Sequence, residues 1–335
     1  MNKKKSVICL TPIRNESWIL DKFLSSTSIW ADYIIISDQN SDDNSRDIAK
    51  RYEKVRLIKN SYTEYNEFLI RQVLFEEARK IKGDKVLIAL DADEFFTPDL
   101  FLSDEWEKVL TSNHGTVIMS KFVNLLPDLQ HYWFGPMDLA WGFIDDNSEY
   151  SAGKIHTNRM IYPKDASILL LEKIKVMHFQ YTYWNRMVSK HRWYQCWERI
   201  NNPQKSSIEI FRPYHHMYSV KKSELKKIPG EWFGYYKELG IDLAIVNKQK
   251  YYYWDKEVLE CFNKYGTQFF KKEDIWDIDW EDKARVYGYE DTNKYKDPRN
   301  FFLKIVHFWL RKTQYSHVNI FVRVIDKILK IFFRV

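Results

Sequence analysis

The sequence predicts an α/β fold in which strands alternate with helices around a largely parallel sheet. Two observations predict it. Between Ser6 and Leu90, short apolar runs without polar alternation are interleaved with segments of helical periodicity. Acids stand at the carboxyl ends of two of these runs, the edge at which such sheets collect their ligands.

SVICLTP, from Ser6 to Pro12, is a short buried strand that Pro12 ends. SWILDKFLSSTSIW follows as an amphipathic helix, with Ile19, Leu20, Phe23 and Leu24 at helical spacing. DYIIISD is a second strand and ends on Asp38. SDDNSRDIAKRY opens with capping residues and continues as a helix, and KVRLIKN is a third strand. NEFLIRQVLFEEARKIKG places Phe68, Leu69, Val73, Leu74 and Ala78 at helical spacing, with Gly83 as its stop. KVLIAL is the next strand, and its end carries Asp91, Asp93 and Glu94 before Phe95 and Phe96. Beyond about residue 125 the pattern loosens into aromatic-rich stretches, and residues 220–300 read as helical and irregular. No repeat or low-complexity linker marks a second domain.

Bulk properties exclude several classes. The 335 residues are enough for one large domain or two ordinary ones. Only 10 glycines occur, with neither GxGxxG nor GxxxxGK[ST], so a glycine-rich phosphate loop is excluded. The three cysteines, Cys9, Cys196 and Cys261, form no CxxC, which excludes a sequence-readable zinc knuckle and fits a reducing compartment. The apolar run after the N-terminal lysines is too short for a signal peptide, and no window approaches a membrane span. A cytoplasmic protein is expected. The net charge of +6 is matched by the stretch Phe301 to Val335 alone, which has seven basic residues and one acid (7 − 1 = +6). The remainder is neutral, which argues against a nucleic-acid-binding face.

Three carboxylates in four positions beside a buried strand repel one another, and burying an unpaired one costs several kcal/mol. A cation relieves both. Hard oxygen ligands at DxD spacing suit Mg²⁺ or Mn²⁺ shared with phosphate oxygens; a solvated acidic turn is the plain alternative. DQNSDDN from Asp38 imitates an EF-hand loop but has Asp43 at its glycine position and Ala49 at its glutamate position, so that reading fails. No GxSxG elbow occurs. His215–His216 reads as a surface pair. An aspartyl-phosphate phosphatase also begins with strand–DxD, but Phe95 stands where it would want Thr or Val.

Taken together, TPIRNE (Thr11 to Glu16), SDQNSDDNSRDIAK (Ser37 to Lys50) and RQVLFEEARKIKGDKVLIALDADEFF resemble the family 2 glycosyltransferases, in particular those that assemble bacterial surface polysaccharides. The resemblance covers roughly the first 100 residues, and Gln39 and Asn40 depart from its pattern. It implies a GT-A fold: a Rossmann-like nucleotide-sugar half on a mixed, mostly parallel sheet, then an acceptor half, then a helical, aromatic-rich C-terminal region. The expected limits are 1–125 and 126–220 for the two halves, 221–300 for a helical extension and 301–335 for a basic tail. Thr11 and Asp38 would contact the nucleoside; Arg14, Glu16 and Arg71 are candidates for ribose or diphosphate. Asp91 and Asp93 would face the diphosphate and, with His178, hold Mn²⁺ or Mg²⁺. Inverting transfer needs a carboxylate base, for which FIDDNSE offers Asp146, Asp145 and Glu149, in that order of preference for the first two. His156 is a further histidine of this region. Tyr132, Trp133, Phe134, Trp141, Trp184, Trp193 and Trp197 are candidates for an acceptor groove, two or three of them facing sugar and the rest core.

In the tail, Asn319, Arg323, Asp326, Lys327, Lys330 and Arg334 fall on one helical arc, and apolar residues cover the remainder. This predicts an in-plane helix on the inner face of the plasma membrane, near a glycan or lipid-linked acceptor; docking on the protein's own core is the alternative. The expected activity is metal-dependent inverting transfer from a nucleotide-sugar donor. A phosphatase, or a non-catalytic sugar- or membrane-binding protein, stands behind it.

Overall fold

The computed structural model describes residues 5–60, 66–147, 159–160, 162, 165–249, 251–333 and 335. The chain forms two compact units, one of Met1–Thr182 and Lys226–Lys248, the other of Tyr183–Leu225 and Gln249–Val335. The expected limit at residue 220 therefore falls inside the second unit, and a segment expected in the helical extension belongs to the first.

The first unit is built on one sheet. Its strands are β1 (Ser6–Ile13), β2 (Tyr33–Asp38), β3 (Val55–Lys59), β4 (Lys85–Ala89), β5 (Glu94–Phe96), β6 (Val117–Leu125), β7 (His131–Ile144), β8 (Ile168–His178) and β9 (Lys226–Lys227). Their order is β3-β2-β1-β4-β7-β6-β8-β5, with β9 on β7. β3, β2, β1 and β4 are mutually parallel. β7 runs antiparallel to β4 and β6, so the sheet reverses there. The helices are α1 (Leu20–Trp30), α2 (Ser45–Ala49), α3 (Glu67–Arg79), α4 (Asp99–Leu102) and α5 (Glu105–Thr111), and α8 (Gly230–Glu238) returns to this unit.

The unalternating runs form β1, β2 and β4 because both faces of the sheet are covered; every residue of β4 is buried. On one face Leu74, Phe75 and Ala78 of α3 pack on Ile8, Leu10, Ile35 and Leu87. Each of the leucine, isoleucine and phenylalanine side chains among them contributes roughly 1.5–3 kcal/mol on burial. α3 starts where Asn66 accepts the Leu69 N–H, and Gly83, at φ 95°, follows its end. α1 begins at Leu20 rather than Ser17, because Ile19, at φ −140°, stands outside the helical region.

The second unit holds α6 (Trp184–Asn201), α7 (Ser207–Tyr214), α9 (Tyr253–Tyr265), α10 (Trp280–Val286), α11 (Phe301–Thr313) and α12 (Ile320–Phe333). Part of its share of the aromatics is core: Phe262 stacks on Trp276 at 5.1 Å and meets Trp280 edge-on at 5.3 Å. α12 docks within this unit. Asp326 takes hydrogen bonds from Arg212 at 2.8 Å and Trp309 Nε1 at 3.0 Å, and Lys330 reaches Glu209 at 3.1 Å. The polar arc is thus partly turned inward. Phe321, Val324, Ile328, Ile331 and Phe332 remain exposed, as do Phe301, Ile305 and Phe308 on α11.

Candidate functional site

Because β1, β2 and β4 are parallel, their carboxyl ends share one edge of the sheet. Asp38 ends β2 with its carboxylate buried, ion-paired to Arg46 and accepting the Ser41 N–H at 3.1 Å. The loop after β1 is fastened to the loop after β2. Asn15 donates from Nδ2 to Asp42 at 2.6 Å, and its Oδ1 accepts the Asp42 N–H at 2.9 Å. Ser41 and Ser45 accept the N–H groups of Asn15 and Glu16, and Asp43 accepts that of Ser17. Asn15 is held at φ 56°, a conformation Asn tolerates better than most residues. The SDQNSDDN segment therefore fixes the shape of both loops.

At the end of β4 the acids divide. Asp91 is ion-paired on both sides, to Arg71 of α3 at 3.3 Å and to Arg159 at 3.0 Å. Arg159 also binds the fully buried Glu94, whose Oε2 accepts the Asp91 N–H at 2.9 Å. Burial pushes the Glu94 carboxyl up to about 7, opposed by Arg159 and reinforced by Asp91 and Asp93. Burial disfavours the charge on Arg159, yet Asp91 and Glu94 hold its pKa above the ordinary arginine value. Within this group of side chains, Arg71 Nη1 and Glu94 Oε1 are buried without a hydrogen-bond partner among the described residues.

Asp93 turns to the other half of the sheet. Glu94 and Asn124 both pair with His178 across the strands β5, β6 and β8. His178 Nδ1 lies 2.9 Å from Asn124 Oδ1, and Nε2 lies 3.7 Å from Asp93 Oδ2. An Nδ1–H donated to Asn124 leaves Nε2 as the acceptor facing Asp93, the tautomer a metal-binding histidine requires. Asp93, Glu94 and His178 each offer one ligand atom, all within 4.8 Å of one another. The donor set fits a divalent cation, and the unpartnered Glu94 Oε1 is a buried atom that such a cation would satisfy. Tyr181 stands edge-on to His178 at 5.6 Å, with Trp133 behind it at 4.7 Å.

Several expected residues are elsewhere. Ile144 pairs with Val86 and Asp145 N–H bonds to Lys85, so β7 delivers Asp145 and Asp146 to the amino end of β4, the opposite edge of the sheet. Asp145 is ion-paired there to Arg79 at 2.8 Å, and Asp146 is exposed beside Gly115. The assignment of a base to this pair is corrected: strand reversal carries both away from the acids of β4. Glu149 and His156 lie outside the described residues. Thr11 is fully buried with its hydroxyl 3.5 Å from Cys9 Sγ, which makes it part of the sheet's packing. Glu16 accepts Trp18 Nε1 at 2.7 Å, and Arg14 is half-buried. Asp91 is held by arginines rather than placed with Asp93, so Glu94 replaces it in the cation set. Trp141 is core, bonded to Ser120, and Tyr132 packs on Trp232; Trp184, Trp193 and Trp197 belong to the second unit. Arg159 is the residue that sequence reasoning missed. Its signal was indirect: three carboxylates in four positions require a fixed positive charge from another part of the chain.

Residues 9–192 match the family described as Glycosyl transferase family 2. No curated protein matches the chain. Among solved structures, glucosyl-3-phosphoglycerate synthase from Mycobacterium tuberculosis, in complex with Mn²⁺, uridine diphosphate and phosphoglyceric acid, is 17% identical over 35% of this chain and 43% of that one, with a TM-score of 0.28. The 4-diphosphocytidyl-2C-methyl-D-erythritol synthase of Anaerococcus prevotii DSM 20548 is 15% identical over 50% of this chain and 87% of that one, with a TM-score of 0.34. The match spans less than half the length of the first solved structures it meets, 41% and 44%.

Proposed function

This chain belongs to glycosyl transferase family 2, and from that premise we propose that it transfers a sugar from a nucleotide-sugar donor to a hydroxyl group, with inversion at the anomeric carbon. The observation that carries this reading is the division of acids at the end of β4. Two arginines neutralise Asp91, while Asp93, Glu94 and His178 converge as cation ligands. A site that only solvated a turn would need neither.

Asp38 accepts from a base N–H at the end of β2, and Arg14 and Glu16 border the ribose. Arg71 donates its unpartnered Nη1 to a diphosphate oxygen. Bound Mn²⁺ or Mg²⁺ supplies positive charge where negative charge develops on the departing diphosphate. In the transfer, the acceptor oxygen bonds to the anomeric carbon as the bond to the diphosphate oxygen breaks. The electron pair leaves with the diphosphate, and the hydroxyl proton passes to a carboxylate base.

A thermal-shift screen of uridine, guanosine, cytidine and adenosine diphosphates, each with and without Mn²⁺, tests this. One diphosphate is expected to raise the melting temperature only when Mn²⁺ is present. Equal shifts with and without the metal would refute the cation set.

We further propose that the acceptor is a glycan or lipid-linked and that α12 rests on an anionic membrane surface, as surface-polysaccharide synthesis requires. Phe321, Val324, Ile328, Ile331 and Phe332 follow one side of α12 and are exposed, with Arg323 and Lys327 exposed on the same helix. Each basic residue at such a surface adds about 1 kcal/mol. Removing residues 315–335 should abolish flotation with phosphatidylserine vesicles. Undiminished flotation of the shortened chain would refute this placement.

A further inference from the structure

The second unit contains a pocket of about 220 Å³ that the transfer reaction does not use. One face of α6 supplies Arg192 and Gln195, α11 supplies Arg311, and the segment between α9 and α10 supplies Asp274 and Asp277. Arg192 grips Asp277 through Nε and Nη2, both at 2.7 Å, and Arg311 grips Asp274 in the same way at 2.7 Å. Neither bidentate pair uses the arginine's Nη1. That of Arg192 lies 4.0 Å from Asp255 Oδ1, beyond hydrogen-bond reach.

The two pairs cancel in charge, and His215, also on the wall, sets its Nε2 3.5 Å from Asp274 Oδ2. The histidine on the same face of α6 does not alter the balance: burial pushes His191 down to about 3, against the hydrogen bond to the Tyr214 carbonyl. An anion entering the pocket would meet two carboxylates, and a cation would meet two guanidinium groups. A purely apolar ligand would strip water from four ionised side chains without replacing its hydrogen bonds. A hydroxyl group is both donor and acceptor, so it is complementary to a carboxylate edge set beside a guanidinium edge. Gln195 is only 1% exposed, and its Oε1 has no hydrogen-bond partner among the described residues; its Nε2 reaches the His191 and Asp274 carbonyls only at 3.4 Å. That buried acceptor calls for a donor from within the pocket. Beside the polar His215 and Gln314, the walls include Met187, Val188, Phe211 and Tyr218, with the Tyr218 ring stacked 5.9 Å from His215; Trp184, outside the lining, meets Tyr218 edge-on at 5.4 Å. Ring faces of this kind pack on the C–H faces of a pyranose. The volume is below the roughly 300 Å³ at which drug-sized pockets begin, which suits one sugar ring and not a nucleotide sugar.

We propose that this pocket binds one uncharged hexose residue of a glycan, making the second unit a carbohydrate-recognition module. Binding here requires none of the residues assigned to the donor.

The probes are the methyl pyranosides of glucose, galactose, mannose and N-acetylglucosamine, with inorganic phosphate and glycine betaine as charged controls. Binding is measured by isothermal titration calorimetry and saturation-transfer NMR, on the full chain and on its Asp93→Ala variant. At least one neutral glycoside should bind saturably, equally well in both, whereas failure of the transfer reading would appear in the nucleotide screen and leave this binding intact. Gln195→Leu should weaken binding at least tenfold. Val188→Phe, which narrows the pocket and leaves its ion-pairing residues in the chain, should abolish it, with the circular dichroism spectrum of both variants unchanged. If no glycoside binds the intact chain, the pocket holds only water and the proposal fails. It also fails if phosphate binds better than the sugars, or if a folded Val188→Phe variant binds as tightly as the parent.

Discussion

Asp93→Ala is expected to reduce metal-dependent sugar transfer by on the order of a thousandfold, because a cation at a developing diphosphate is worth several kcal/mol. The loss should fall on turnover rather than on folding. The Asp93 carboxylate is buried, and its Oδ2 lies 3.7 Å from His178 Nε2, too long for a hydrogen bond. Deleting it removes a like charge from beside Glu94, so the melting temperature should hold or rise. Stabilisation by Mn²⁺ with a nucleoside diphosphate should vanish in the same variant. Transfer kinetics and thermal melts with and without Mn²⁺ check both halves. A variant that keeps metal-dependent transfer within about tenfold of the parent would remove Asp93 from the cation set.

Arg159→Met is expected to be the most destabilising single change at the site. Removing one partner of a buried ion pair costs about 3–5 kcal/mol, and here Glu94 and Asp91 lose the same partner. The pH dependence identifies the cause. Glu94 has a folded-state pKa raised from 4.5 to about 7, so the folded state binds the extra proton between those values. Stability therefore falls as pH rises through that window, by on the order of 1 kcal/mol per pH unit. Without Arg159 the folded pKa rises further, and the decline should continue beyond pH 7. Urea unfolding from about pH 5 to about pH 9 measures it. A variant destabilised equally at every pH would mean that Arg159 acts through packing alone.

Much of the first unit was legible because its signals are local. The unalternating runs at Val7–Leu10, Ile34–Ile36 and Val86–Ala89 became buried strands, and the acids after them came to one edge. Asp93 and His178 were legible for the same reason, each standing at the end of an apolar run. Strand direction was not legible. Nothing in HYWFGPMDLAWGFI says that it runs against β4, yet that reversal sends Asp145 and Asp146 to the wrong edge. Arg159 lies in a stretch without periodicity, and its role depends on a contact with Glu94 across 65 positions. The domain limits were hidden similarly, since no composition change marks the return of residues 226–248.

That return path has a practical side. Tyr236 of α8 donates its hydroxyl to the Phe96 carbonyl at 2.8 Å, next to the acids, and Trp232 backs Tyr132. Trimming the protein from its C-terminus therefore cannot yield the sheet unit alone: a cut after Lys248 keeps Tyr183–Leu225 with it, and a cut before Lys226 loses its last piece. Isolating that unit takes both removal of Gln249–Val335 and excision of Tyr183–Leu225, with Thr182 joined to Lys226.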